Sequence, residues 1–213
     1  MHNETGKLLN QKFGRGERMY DFIVIGGGSA GCVVASRLTE NPDISVCLLE
    51  AGGPDSSVLI HAPMGVAAIL PIKFNNWGFK TTAQKGLNGR QGYQPRGRVM
   101  GGSSSINGLN YNRGQSTDFD HWAELGNAGW SFEDVLPYFR RTERKIGPAD
   151  PRFRGRSGEL PITDLDWHHP ISEAFVEGAG ELGIPQNPDY NTGHQDGAGY
   201  FQRTIYKGLR VSS

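Results

Sequence analysis

The chain alternates short apolar runs with long, polar, glycine-marked stretches. Residues 20–25 read Tyr-Asp-Phe-Ile-Val-Ile, an apolar and β-branched run that stops at glycine, which is the pattern of a buried parallel strand. Beyond the glycines at 26–31, Ala30, Val33, Val34 and Leu38 recur at a spacing that shares one helical face. Asn41-Pro42-Asp43 ends that helix, and residues 45–49 form a second apolar run that closes on Glu50. Strand, helix and strand in about thirty residues make one βαβ unit, so the fold class is α/β.

The rest of the chain is less regular. Residues 52–114 are rich in Gly, Asn and Pro, with scattered aromatics such as Trp77, Phe79 and Tyr93. A structureless stretch of that length is uncommon in a compact domain unless it is functional, so extended backbone laid over a large ligand is expected. Ser131 reads as an N-cap with Glu133 and Asp134 in the first turn of a helix that runs to about Glu143. Val135, Leu136 and Phe139 point inward in that reading, and Pro137 should kink the helix or move its start. Residues 147–158 read as a loop or domain boundary and 158–162 as a short strand. Pro170 opens another helix with Ile171, Phe175, Ala179 and Leu182 on one face and Gly183 at its C-cap, and residues 201–205 suggest a further strand. Residues 1–18 are polar and aperiodic and read as a loose extension. This gives a first domain over 19–157 and a further segment over 158–213.

Composition removes several classes. Lys+Arg 22 against Asp+Glu 22 leaves no basic footprint for nucleic acid. The longest apolar stretch, residues 58–72, is broken by His61, Pro63, Gly65 and Pro71 and is too short to span a membrane. The first residues lack the apolar core of a secretory signal. Cys32 and Cys47 define no disulfide framework and read as buried apolar positions in a reducing compartment, so a cytoplasmic location is expected. The six histidines lack a compact metal spacing. Glycine is the outlier, at 31 of 213 residues, about double the usual share.

Much of that glycine falls in two clusters. Gly26, Gly28 and Gly31 form G-x-G-x-x-G after a strand and before a helix, with Glu50 nineteen positions after Gly31. That context is the one a dinucleotide site requires. Gly26 permits the tight turn, Gly28 lets amides approach a diphosphate at the positive end of the helix, and Gly31 lets helix and strand pack closely. Glu50 can accept hydrogen bonds from ribose hydroxyls. NAD and FAD both use this motif. The second cluster, Gly-Arg-Val-Met-Gly-Gly-Ser-Ser-Ser-Ile-Asn at 97–107, strips side-chain bulk from the backbone and can press amides and hydroxyls against a flat or anionic ligand. Arg98, with Arg96 and Arg113 nearby, can offset phosphate charge. A flexible linker fits poorly, because Val99, Met100 and Ile106 interleave with the small residues. Asp118 and Asp120 lie near a helix start and read as structural, and Trp122, Trp130 and Phe139 as core.

Four blocks together resemble the glucose-methanol-choline (GMC) family of flavin-dependent alcohol oxidoreductases, most nearly its choline dehydrogenase-like branch. They are residues 21–31, residues 48–52 (Leu-Leu-Glu-Ala-Gly), residues 95–114 (PRGRVMGGSSSINGLNYNRG) and the stretch from 126 to 139. The resemblance implies an incomplete Rossmann-like FAD-binding domain followed by the beginning of an α+β substrate domain. It implies FAD as cofactor, with Gly26, Gly28, Ser29, Ala30, Gly31, Glu50 and Ala51 toward its ADP part. Arg98, Val99, Gly102, Ser103, Asn107 and Gly108 would lie toward the flavin and its phosphates, so that the two clusters serve opposite ends of one FAD. Some members carry a covalent flavin link on a His one place before the matched Asn; Ile106 stands there, which implies non-covalent FAD. The implied reaction is hydride transfer from the CH–OH group of an alcohol, choline-like or another primary alcohol, to FAD, with an electron acceptor left open. The family's catalytic His lies near the C-terminus of much longer chains, and none of the six histidines falls on it. The expectation is therefore the N-terminal portion of such an enzyme, without turnover alone. A non-catalytic flavin-binding remnant is the alternative; a short NAD-dependent dehydrogenase fits less well, having no use for the second cluster.

Overall fold

A computed structural model describes residues 19–213, and the expected extension over 1–18 lies outside the described residues. The βαβ unit is present: β1 (Phe22–Ile25), α1 (Ser29–Leu38) and β2 (Val46–Leu49), with β1 and β2 parallel and Phe22 opposite Val46. Asp21 sets the register. Its Oδ2 accepts from Ser45 N at 2.8 Å and Ser45 Oγ at 2.7 Å, which holds its pKa below the ordinary aspartate value.

The expected burial of this unit does not hold. Ile23 and Ile25 are 63% and 86% exposed, and Val33 and Val34 are about half exposed. Among the described residues the sheet has two strands, and α1 buries none of its own residues. A parallel sheet normally has both faces covered, and here apolar strand residues remain open.

Residues 52–114 are not extended throughout; part of the stretch builds a core. α2 (Val58–His61), α3 (Val66–Ile69) and the antiparallel pair β3 (Phe79–Lys80) and β4 (Tyr93–Gln94) fold within the stretch. Ile60, Ile69, Val99 and Ile106 form a dry cluster, flanked by Leu59 and Leu70. β5 (Asn110–Tyr111) then leads to α4 (Ser116–Glu124) and α5 (Phe132–Thr142). Ser131 caps α5 as expected, accepting from Asp134 N at 3.3 Å. Phe132 and Leu136 are buried against Phe119, with Val135 and Phe139 beside them. The helix runs through Pro137 without moving its start, which leaves the Glu133 carbonyl without its i+4 donor. Asp118 Oδ2 accepts from Gln115 N and Asp120 Oδ1 from Phe132 N, so both carboxylates organise helix starts. Trp122 and Trp130, expected in the core, are about half exposed and meet edge to face.

β6 (Glu143–Lys145) and β7 (Leu160–Ile162) pair in parallel around the loop expected at 147–158. α6 (Pro170–Glu181) follows, with Gly183 just past its end at φ +79°. Its expected apolar face is mostly open: Ala179 is buried, but Ile171, Phe175 and Leu182 are exposed. The strand expected over 201–205 is broken at Thr204 into β8 (Gln202–Arg203), paired with β5, and β9 (Ile205–Tyr206), paired with β10 (Leu209–Arg210). Thr204 N turns away to the Leu109 carbonyl at 2.9 Å.

A buried ionic network joins the segment around Arg113 to the later strands. Glu143, with no exposed surface, accepts from Arg154 Nε at 2.8 Å and Gly155 N at 2.7 Å and pairs with Arg113 Nη2 at 2.8 Å. Arg154 Nη1 also donates to Asp189 and to the side-chain Oε1 of Gln202. Arg113, expected to offset ligand phosphate, is instead committed here, with Nη1 on the Phe153 carbonyl. Removing one partner of a buried pair strands the opposite charge. Glu143→Ala should therefore lower unfolding free energy by about 3–5 kcal/mol in urea titrations. Glu40→Ala, at an exposed pair with Arg37, should cost far less, because water already screens that pair; equal losses would refute the difference. Acid should also loosen β1 from β2. A depressed aspartate stabilises the fold above its unfolded pKa, and that contribution is lost as pH falls through the folded value. Asp21→Asn should remove this part of the acid sensitivity, read as stability against pH.

Candidate functional site

The first glycine loop turns at Gly26, whose φ of +99° is one that glycine adopts freely. Gly26 N donates to the Leu49 carbonyl at 2.7 Å, and the loop is tied to β2 again through Glu50. Glu50 Oε2 accepts from Gly27 N and Oε1 from Gly52 N, both at 2.8 Å. The carboxylate expected to face ribose thus already bridges two loops, and each oxygen keeps one further lone pair. At Gly31 a Cβ would collide with the Gly26 carbonyl oxygen, so helix and strand approach as closely as the motif predicts.

Gly28 differs. Its φ is −82°, open to any residue, and the nearest atom a Cβ would meet is Gly102 Cα at 4.0 Å. The chain's own packing gives no reason for glycine there. Gly28 is the N-cap of α1, with no side-chain cap and no acidic residue in the first turn. The first amides of the helix, at Ser29, Ala30 and Gly31, have no intrahelical acceptor. With the helix dipole they form an open anion-binding end.

The second cluster lies directly against the first, and not at a remote end. Gly101 N donates to the Gly27 carbonyl at 2.7 Å, Gly28 and Gly101 bridge in parallel, and a Cβ on Gly102 would stand 2.8 Å from Gly28 Cα. Residues 97–100 run between two other segments: Met100 N donates to the Gly53 carbonyl and Arg98 N to the Asn75 carbonyl, both at 2.9 Å. Arg98 is exposed, stacks on Trp77 at 5.1 Å and reaches the Ala51 carbonyl at 3.4 Å. Val99 is wholly buried, backbone included, and its carbonyl accepts from Gly102 N at 2.8 Å. Of the three serines, Ser104 and Ser105 donate to the Gly101 and Met100 carbonyls, and Ser105 is buried. Ser103 is exposed, and its Oγ accepts from Gly97 N at 3.1 Å. Ser103, Asn107 and Gly108, with Leu70, Arg96 and Ile106, line a cavity of about 320 Å³.

One residue of this site carries no signal in the sequence. Arg210, 4% exposed, reaches the Ile60 carbonyl with Nε at 2.9 Å, and the Ser104 carbonyl and Asn107 Oδ1 with Nη1 at 3.2 and 2.9 Å. Burial pulls its pKa below the ordinary arginine value. A lone arginine a hundred residues from its partners leaves no local pattern to find.

Among the placed histidines, His169 caps α6, His168 stacks on Tyr200 at 4.0 Å and His121 pairs with Glu124 at the surface. His2 lies outside the described residues. Among the described residues no three His, Cys, Asp or Glu side chains converge as metal ligands, and no helix is long and apolar enough to cross a membrane. Cys32 and Cys47 are partly buried free thiols.

A parallel βαβ unit with a glycine turn, an uncapped helix start and a second glycine segment packed against it define a dinucleotide-binding class of α/β fold. Residues 20–213 match the description GMC oxidoreductase, and the chain belongs to that family, in its choline-dehydrogenase-like branch. It is 42% identical over 195 residues to "Alcohol dehydrogenase [acceptor]" of Pseudomonas putida and 43% identical over 199 residues to "Oxygen-dependent choline dehydrogenase" of Vibrio vulnificus. Each match covers 92% of this chain and 35% of the relative, so the chain spans about a third of their length. In structure it is similar to pyridoxine 4-oxidase from Mesorbium loti, with a TM-score of 0.84 and 34% identity over 91% of this chain and 38% of that one. It is also similar to an FAD-dependent oxidoreductase from Chaetomium thermophilum, with a TM-score of 0.83 and 34% identity over 91% and 35%.

The two glycines of the first loop should respond differently to a methyl group. Gly31→Ala forces helix and strand apart and should cost about 3 kcal/mol. Gly28→Ala has room and should cost no more than about 1 kcal/mol. Urea unfolding of both variants checks this; similar losses would contradict the assigned reasons for the two glycines.

Proposed function

We propose that this chain is the FAD-binding N-terminal portion of an oxidoreductase that acts on the CH–OH group of an alcohol. The observation that carries the cofactor reading is Gly28: an open position at an uncapped helix start, facing a second glycine segment at 4.0 Å. The residues present fit FAD. Amides of Ser29, Ala30 and Gly31 would receive the diphosphate, with Gly26 and Gly28 giving it room. Glu50 and the adjoining Ala51 backbone would meet the ribose on the ADP side, using the carboxylate's spare lone pairs. Arg98 would border the middle of the cofactor, with the buried Val99 and Gly102 supporting that segment from behind, and Ser103, Asn107 and Gly108 would border its ring system. When bound, FAD would supply the hydride acceptor for a choline-like or other primary alcohol.

The alcohol-oxidising relatives, the structural likeness to a protein titled FAD-dependent, and the contact of the two glycine clusters support this reading over a nicotinamide enzyme. FAD is held without a covalent bond in this reading. Ile106 is 2% exposed and packs with Ile60, Ile69 and Val99, and its alkyl side chain offers no nucleophile.

Two measurements test this. Flavin added to the chain and carried through desalting should appear in the supernatant after acid precipitation; flavin held in the pellet would contradict non-covalent binding. Gly28→Leu should weaken FAD binding at least a hundredfold by blocking approach to the diphosphate, with the fold retained by circular dichroism. Undiminished affinity in that variant would remove the assigned site.

A further inference from the structure

Arg210 is a buried cation whose partners are all neutral. Its three hydrogen bonds go to two carbonyls and one amide oxygen, and Nη2 has no partner among the described residues. Such a group is expensive to hold inside a protein, and a purely structural arginine is normally given a carboxylate, as Arg154 is here. What Arg210 does accomplish is specific. Asn107 Oδ1 accepts from Arg210 Nη1 at 2.9 Å and from Leu109 N at 3.0 Å. Both neighbours are donors only, so the amide cannot turn over without setting its NH2 against two N–H groups. Leu109 is held at φ +69°, an uncommon conformation for leucine, in the turn that gives Asn107 this second donor. Two costly features therefore converge on one amide oxygen. They fill both of its lone pairs, and Asn107 Nδ2 makes no hydrogen bond among the described residues, in the wall of the cavity shared with Ser103 and Gly108.

We propose that Arg210 is a positioning residue that locks Asn107 as a hydrogen-bond donor toward this cavity, so that the site reads an acceptor on the ring system of its ligand. This rests on the FAD reading above. A ring carbonyl or ring nitrogen of the flavin meets the requirement, and the ADP half of the molecule does not reach it.

The test compares FAD with ADP on the full chain by calorimetric titration. Arg210→Met and Asn107→Ala should each weaken FAD about tenfold, the size of one hydrogen bond, and leave ADP unchanged. The double variant should bind FAD no more weakly than either single one. Equal losses for FAD and ADP in Arg210→Met, unchanged FAD affinity, or additive losses would overturn the proposal. Should Arg210→Met fail to fold, Asn107→Asp decides, because its carboxylate can pair with Arg210 yet offers no donor. It should lose FAD relative to ADP as Asn107→Ala does, and FAD affinity equal to the parent chain would overturn the donor role. Absence of FAD binding by the parent chain is a different result, and it refutes the cofactor reading together with this inference.

Discussion

The site depends on one backbone-to-backbone contact, that between residues 26–31 and 97–102. Gly27 and Gly101 share a hydrogen bond, and Gly102 sits so near Gly28 that a methyl group on it would overlap a main-chain atom. At Gly102 no side chain fits between the two segments. Other ties follow from it. Once residues 97–102 lie on the first glycine loop, Met100 can reach Gly53, Arg98 can reach Asn75, and Val99 is driven into the core with Ile60, Ile69 and Ile106. The glycine surplus is thus partly a packing requirement. At Gly28 a side chain would fit, so packing is not what calls for glycine there.

Features carried by local chemistry were legible in the sequence. The βαβ unit announces itself through β-branched runs and helical spacing, Ser131 through its capping box, and Pro170 through its fixed φ at a helix start. The glycine fingerprint was legible because its meaning is set by the strand before it and the helix after it. Features set by distant partners were not. β6 is three residues long, and its burial comes from Arg113 and Arg154. α2 and α3 are four residues each and below the length at which periodicity can be read. The openness of β1 and of the Ile171, Phe175 and Leu182 face was illegible for a related reason: a hydrophobic pattern says which side wants cover, not whether cover is present.

Arginine placement shows the same limit. Arg96, Arg98 and Arg113 stand within eighteen positions and look interchangeable as phosphate neutralisers. Folding separates them. Arg113 is drawn into the buried pair with Glu143 and lost to any ligand, Arg98 lies exposed on Trp77, and Arg96 borders the cavity beside Ser103 and Asn107. A formal net charge of zero hides this sorting.

The sorting has a consequence for the field at the site. Arg113 and Arg154 are offset by Glu143 and Asp189, so the ionic network contributes little beyond its own neighbourhood. Arg210 is offset by carbonyl dipoles alone, the first turn of α1 carries no acidic residue, and Arg98 and Arg96 retain their charge nearby. Glu50 is an acidic residue at the site, and its two oxygens are already engaged by the Gly27 and Gly52 amides, which spread its charge into the loops. The surface around the start of α1 is therefore polarised toward accepting an anion, even though it is made largely of backbone. A ligand that places a diphosphate at the helix start and an acceptor-rich ring against Asn107 satisfies both halves of that polarity at once. A diphosphate alone would leave the donor face fixed by Arg210 and Leu109 without an acceptor.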